Sequence, residues 1–309
     1  MTRLAAVALT IGVCLGGCGF GEGEAQDGGA DIRVTKDFGR EQLAADKIDT
    51  VHEDESVMRL LQSEHDVDTR FGGNFVEAID GVEGSGGGGG TRDWFYYVNG
   101  IWADRGAADW EVHPGDVIQW DNRDWIAKER IPAIVGAYPE PFRNGFEGDR
   151  LPVRLECADS GDEACSSVKD SLAGVGARVS SSQLAASGGT DLVRVLVGTW
   201  DELRDVRTPA LLAEGPEASG VFARFADDGR RLELLDGEGD VVQTADPGTG
   251  LVAATALEEQ AVVWVVTGLD DLGVQAAASI LDARSLRNAF AVAATPEGPE
   301  KLPLPEDGE

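Results

Sequence analysis

A chain of 309 residues is long enough for two domains of moderate size, and a hydrophobic share of 42% can fill a core in each. With 56 acidic against 26 basic residues the net charge is -30, a surface that repels the phosphates of DNA and RNA and speaks against nucleic acid as a partner. The acidity reads instead as the solubility of a protein exposed at a cell surface.

Residues 1–17 read as an export signal, in which Arg3 supplies the positive start and the apolar run of residues 4–13 is too short to cross a bilayer. Leu15-Gly16-Gly17 then leads into Cys18, a run that resembles the bacterial lipobox. That resemblance implies cleavage before Cys18, a lipid on its thiol and anchoring in the lipid bilayer at the outer face of the cell membrane. An ordinary signal peptide or an N-terminal membrane anchor is the alternative. Cys14 follows Val13, where such sites take a small residue, so it leaves with the signal. Residues 18–30 are glycine-rich and acidic, cannot bury a core and read as a flexible tether.

The first domain is expected over residues 31–126. It starts with a strand at Ile32-Arg33-Val34 and a second near residues 47–51. A helix follows, capped by Asp54 or Ser56, with Val57, Leu60, Leu61 and His65 on one stripe. Further strands are expected at residues 69–71 and 75–80, and the glycine run of residues 83–90 reads as a mobile tip. Residues 94–125 then hold five of the seven tryptophans. Asn99-Gly100 signals a tight hairpin, and His113-Pro114-Gly115-Asp116 a type II turn. Ile118 and Trp120 alternate with Val117, Gln119 and Asp121 in the strand behind it. Two strands, a helix and further strands give an α+β, β-grasp-like order.

The pattern W-x-Y-x-V-N-G from Trp94, then Gly106, then Trp110 ahead of H-P-G-D-x-I-x-W, preceded by the helix DESVMRLL from Asp54, resembles the small β domain at the C-terminus of transcobalamin and intrinsic factor. This domain also occurs alone in bacterial surface proteins. The resemblance spans residues 31–125 and implies a ligand, a corrinoid such as cobalamin, captured at the cell surface and handed to a membrane uptake transporter. In the animal proteins a large helical domain closes over the corrinoid; this chain carries no such partner domain.

Residues 127–149, with Pro132, Pro139 and Pro141, read as the linker, and residues 150–295 as an α/β domain. The run VRVLVGTWDEL from Val193 echoes VVWVVTGLDDL from Val262, each a buried strand entering a helix, and residues 153–157 with 166–173 offer a third unit. Residues 221–225 and 232–235 around Asp228-Gly229 read as a hairpin, with one more strand from Asp240. Residues 296–309 read as a disordered tail.

Little here points to catalysis. Cys157 and Cys165 in an exported chain read as a disulfide closing a small loop, ahead of free thiols and of a metal site, since His52, His65 and His113 have no shared helical spacing. Asp201, Asp270 and Asp271 stand where strands enter helices and read as caps before catalytic carboxylates. Neither a phosphate loop nor a Ser/His/Asp set can be assembled, so a binding or interaction protein is expected, with no cofactor beyond a corrinoid as transported ligand. Trp94 and Trp120 read as core. Tyr97, Asn99, Trp102, Asp104, Arg105 and Trp110, on or beside the turns, are the candidate ligand-binding residues: aromatic faces to stack on a planar molecule, polar groups to meet its edge. For Trp102 and Trp110 a place in the core is the competing reading. The alternative function is a cell-envelope protein-interaction module without a small ligand.

Overall fold

In β1 (Ala30–Lys36), Ile32 and Val34 point to one face and Arg33 and Thr35 to the other, so the strand is built to be covered on both sides. The computed structural model describes residues 23–70, 75–85, 89–184, 191–227, 229–257 and 261–306. A turn through Asp37, Phe38 and Gly39, all at positive φ, returns the chain into β2 (Glu41–Ile48). α1 (Val57–Glu64) is capped by Ser56, whose hydroxyl accepts from the Arg59 amide at 3.2 Å, and buries Val57, Met58, Leu60 and Leu61. β3 (Val67–Arg70), β4 (Phe75–Ile79) and β5 (Val82–Glu83) form a small antiparallel sheet. β6 (Arg92–Val98), β7 (Ile101–Trp102) and β8 (Val117–Asp124) complete a five-stranded sheet of order β2-β1-β8-β6-β7. Its two central neighbours, β1 and β8, run parallel. Trp94, Trp110, Ile118 and Trp120 fill the core with the apolar residues of β1 and α1.

The second half follows the strand-then-helix grammar of its sequence. β9 (Val153–Cys157), α2 (Glu163–Gly174), β10 (Val179–Gln183), β11 (Val193–Thr199) and α3 (Trp200–Leu203) come first. After α4 (Pro216–Ser219), the strands β12 (Ala223–Ala226), β13 (Arg231–Leu235) and β14 (Val241–Thr244) make a separate antiparallel sheet, which contains the expected hairpin. β15 (Gly250–Thr255), β16 (Val263–Gly268), α5 (Asp271–Ser279), α6 (Ala283–Leu286), β17 (Ala291–Thr295) and β18 (Gly298–Leu302) follow. The main sheet has the order β10-β9-β11-β16-β15-β17-β18; its first four strands are parallel and the rest antiparallel. The three strand-helix units read from the sequence supply three adjacent parallel strands, β9, β11 and β16. Both faces of this sheet are covered at its centre, which is why β15, β16 and β17 are apolar without alternation, whereas the edge strands β10 and β18 are polar. α5 lies so close that a Cβ on Gly250 would meet the carbonyl oxygen of Gly273 at 2.0 Å, so only glycine permits this approach.

The molecule is thus mixed α/β, mostly sheet, with several sheets and few helices. Its halves share a continuous packing. Phe38 meets Phe222 and Phe290 edge-on at 4.8 and 5.3 Å, and Gln119 donates to the Asn288 carbonyl at 3.0 Å. The stretch expected as a linker, residues 127–149, is largely interior: Ile131, Ile134, Val135, Tyr138 and Phe142 are buried, and they join both cores of the second half. Prolines there break regular structure without exposing the chain. The expected tether and tail also change. From Glu24 onward the chain is hydrogen-bonded to Val51 and Glu53. Beyond residue 296, β18 pairs with β17, and Leu304 is buried with its amide bonded to Leu235. Residues 1–17, Cys18, and residues 86–88 of the glycine run lie outside the described residues. Among the described residues, no helix is long and apolar enough to cross a membrane.

Candidate functional site

Asn99 and Gly100, at φ 53° and 76°, make the tight turn that Asn-Gly predicts between β6 and β7. The Asn99 side chain then does something a turn does not require. It is fully buried, donates to Asp116 Oδ1 at 2.7 Å and to the Gly145 carbonyl at 2.9 Å, and accepts from the Val117 amide at 2.8 Å. The His113–Asp116 turn is fastened in the same way, with the His113 amide on Asp116 Oδ2 at 2.8 Å. Asn144 closes the network by donating to Glu140 and to the Gly115 carbonyl. Burial raises the carboxyls of Asp116 and Glu140 above their ordinary range, against the pull of these hydrogen bonds. The motif residues around these turns are therefore a clamp that holds residues 140–145 onto the first domain.

The candidate residues separate accordingly. Tyr97 is buried at the meeting of the two halves, edge-on to Trp102 at 5.8 Å and to Phe290 at 5.5 Å; burial pushes its hydroxyl up to about 12. Trp110, 1% exposed, packs on Phe146 at 5.2 Å under the guanidinium of Arg105 at 4.5 Å. Tyr97, Asn99 and Trp110 thus belong to the interior and offer no face to a ligand, because residues 131–149 fold over them. Trp102, Asp104 and Arg105 stay accessible. Arg105 is paired with Asp104 at 3.2 Å and with Glu147.

Half-buried Trp102 is a wall shared by two hollows. On one side lies a recess of about 190 Å³ within the first domain, walled by Met58, Trp94, Phe95, Tyr96, Trp102 and Trp120, with Arg105 and Glu129 at its rim. On the other, a groove of about 530 Å³ runs from Ile101, Trp102 and Asp104, past Lys128 and Arg130, to Ala256 and Val262 of the second half. The larger volume is in the range of small-molecule sites; the smaller suits one or two fused rings. Phe95, the other ring beside Trp102 at 5.6 Å, is held by the Arg123 guanidinium 3.9 Å above it. Arg123 is itself buried and donates to the carbonyls of Lys128 and Glu129, so it also shapes the loop that rims both hollows. Lys128 reaches across to the Glu217 carbonyl of α4.

A still larger cleft of about 830 Å³ lies between the β1–β2 turn and residues 303–306. Its lining charges largely satisfy one another, Lys36 with Glu41 and Arg92 with Asp37, and its apolar lining, Phe38, Val82 and Leu304 among it, holds no tryptophan. No local signal marks Lys128, Glu129 or Arg130, which sit in a stretch that reads only as connection. Of the three strand-end aspartates Asp270 is a cap, accepting from the Gly273 amide at 2.8 Å; Asp271 lies in the first turn of α5, and Asp201, in the first turn of α3, is exposed and pairs with Arg204. At α3 the cap is Thr199, whose amide and hydroxyl both donate to Glu202. Cys157 and Cys165 form a disulfide from the end of β9 to the first turn of α2. No group of three or more His, Cys, Asp or Glu that could hold a metal ion occurs among the described residues.

Residues 54–124, the part of the chain that carries α1, the clamp and the Trp102 wall, match the family model of a domain of unknown function, DUF4430. No curated protein matches the chain. Among solved structures it is similar to a "putative metal binding protein" from Ruminococcus gnavus ATCC 29149, at 16% identity and a TM-score of 0.25, over 31% of this chain and 97% of that one.

Proposed function

We propose that this is an exported, lipid-anchored binding protein that takes a flat small molecule at Trp102. The observation that carries the reading is the position of that side chain: half-buried, backed by Phe95 and Tyr97, and facing a hollow on each side, one of which spans both halves of the molecule. The strand order β2-β1-β8-β6-β7, with β1 and β8 parallel and α1 across the sheet, supports a β-grasp reading of the first domain and with it the likeness to the transcobalamin C-terminal domain. A corrinoid is the first ligand to test. It exceeds either hollow in size, so it would be gripped by one edge against Trp102 and passed on, in keeping with hand-over to an uptake transporter.

Isothermal titration of the intact chain with cobalamin and cobinamide, beside Trp102→Ala, tests the site. The expected result is micromolar binding that the variant loses while it still melts cooperatively. If neither corrinoid binds, the uptake reading fails, and a protein-interaction module in the cell envelope becomes the better account. The anchor is tested separately: Cys18→Ala should leave the membrane fraction, and unchanged fractionation would overturn it.

A further inference from the structure

Two basic side chains, Lys128 and Arg130, line the 530 Å³ groove beside Trp102. Arg130 is exposed and has neither a hydrogen bond nor an ion pair among the described residues. The Lys128 ammonium donates to the Glu217 carbonyl, a neutral partner that leaves its charge uncompensated. Asp104 is the one carboxylate among the described residues of the lining, and Arg105 already stands against it at 3.2 Å. Over the whole chain acidic residues outnumber basic ones 56 to 26, so a groove whose uncompensated charges are both positive runs against the composition.

The backbone holds these cations beside the aromatic wall. The Trp102 amide donates to the Pro132 carbonyl at 3.1 Å and Ile101 bridges to Ala133. Arg130 therefore lies only two residues, a chain span of about 7 Å, before the residue bonded to Trp102. On its other side Arg123 donates to the carbonyls of Lys128 and Glu129 at 3.0 and 2.6 Å. The chain is pinned before and after Arg130, so only side-chain torsions remain to be ordered when a ligand arrives. A guanidinium presents a planar fork to two oxygens of a carboxylate or phosphate, and an ammonium adds a point charge. Trp102, Phe146, Leu257 and Val262 supply the apolar part of the lining, suited to a ring system. We propose that the groove binds a planar ring system carrying an oxyanion, with its ring against Trp102 and its carboxylate or phosphate on Arg130 and Lys128. The inference rests on the reading of Trp102 as a ligand site and names the charge of the group at the ligand's edge.

The test titrates four probes built on one ring system into the intact chain, followed by ligand-observed NMR. 2-Naphthoate and 2-naphthyl phosphate carry an oxyanion, 2-naphthamide is neutral and 2-naphthylmethylammonium is a cation. Both oxyanions should bind about tenfold more tightly than the amide, the worth of one charge-assisted hydrogen bond, with the ammonium weakest. Arg130→Gln, at an exposed position, should fold like the parent and lose most of that advantage while amide binding is unchanged. Arg130→Lys, which keeps the charge and loses the fork, should retain part of it. An amide that matches the oxyanions in the parent overturns the proposal, as does an advantage that survives Arg130→Gln combined with Lys128→Gln. If no probe binds, the proposal fails, and the corrinoid titration alone judges the Trp102 site. Trp102→Ala separates the two readings. Amide binding that this variant abolishes, without an oxyanion advantage, sinks the charge assignment and spares the ring site; an oxyanion advantage indifferent to Trp102→Ala sinks the ring site instead.

Discussion

Asn99 carries two roles that the sequence shows as one. As a turn residue it needs only to tolerate positive φ, which asparagine does better than most. As a buried side chain it makes three hydrogen bonds, to the strand behind the turn, to Asp116 and to Gly145. Asn99→Ala therefore orphans an amide, a carboxyl oxygen and a carbonyl at once, and should cost about 2–4 kcal/mol. Denaturant melts check this. Asn99→Gly, which keeps the turn and loses the bonds, should cost nearly as much; if instead it is neutral, the side chain matters only for φ. Trp102→Ala is the contrast: being half-buried, it should lose binding with a loss of about 1–2 kcal/mol.

At the scale of elements, the disulfide joins a strand to the helix that follows it. Cys157 ends β9 and Cys165 lies in the first turn of α2, eight residues on, a loop already short and already closed by the Asp162 cap. By the chain-entropy model such a loop stabilises by about 2–3 kcal/mol. The double variant Cys157→Ser, Cys165→Ser should accordingly remain folded, with its denaturation midpoint lowered. Alkylation of the unreduced parent followed by mass spectrometry should find neither thiol modified, and two modified thiols would refute the bridge in solution. The connecting segment shows the opposite economy. It has almost no regular structure, yet Ile131, Ile134, Tyr138 and Phe142 make it an interior layer, so deleting it should unfold the protein and not merely loosen two domains.

For the whole molecule the seam between the halves matters most, because it is polar as well as buried. Arg33, Thr35, Gln119, Asp121 and Arg123 all lie on the face of the five-stranded sheet away from α1, and all are nearly inaccessible. Asp121 accepts from the Thr35 hydroxyl at 2.6 Å and from the amides of Phe38 and Gly39 at 3.0 and 2.7 Å. Burial nevertheless outweighs these bonds and the nearby Arg123, and pushes its carboxyl up to about 6. A folded value above the unfolded one, near 4, means that the folded state holds the extra proton between them, so stability falls as pH rises through that window. Asp116 and Glu140, raised in the same direction, add to the trend, as does self-repulsion in a chain of charge -30. The melting temperature should therefore be higher at pH 5 than at pH 7.5. Asp121→Asn should start lower, since an amide cannot accept all three bonds, and should show a shallower pH slope; a parent that is most stable at pH 8 would contradict this account.

What the sequence determined by itself was local. Periodicity and turn chemistry located α1, the hairpin at Asn99-Gly100, the strand-helix units of β9, β11 and β16, and the pair Cys157 and Cys165, because each depends on neighbours a few residues apart. The accessible face of Trp102 and the inaccessibility of Trp110 could not be told apart that way, since both stand beside turns in similar company. Only the tertiary structure decided between them. Residues 131–149 fold back over Trp110, Asn99 and Tyr97, but at Trp102 they bond to the backbone, the Trp102 amide donating to the Pro132 carbonyl at 3.1 Å, and leave its ring half-exposed beside a groove shared with Lys128 and Val262. Burial is a property of what arrives from elsewhere in the chain, and no spacing near Trp102 records which distant segment will cover it.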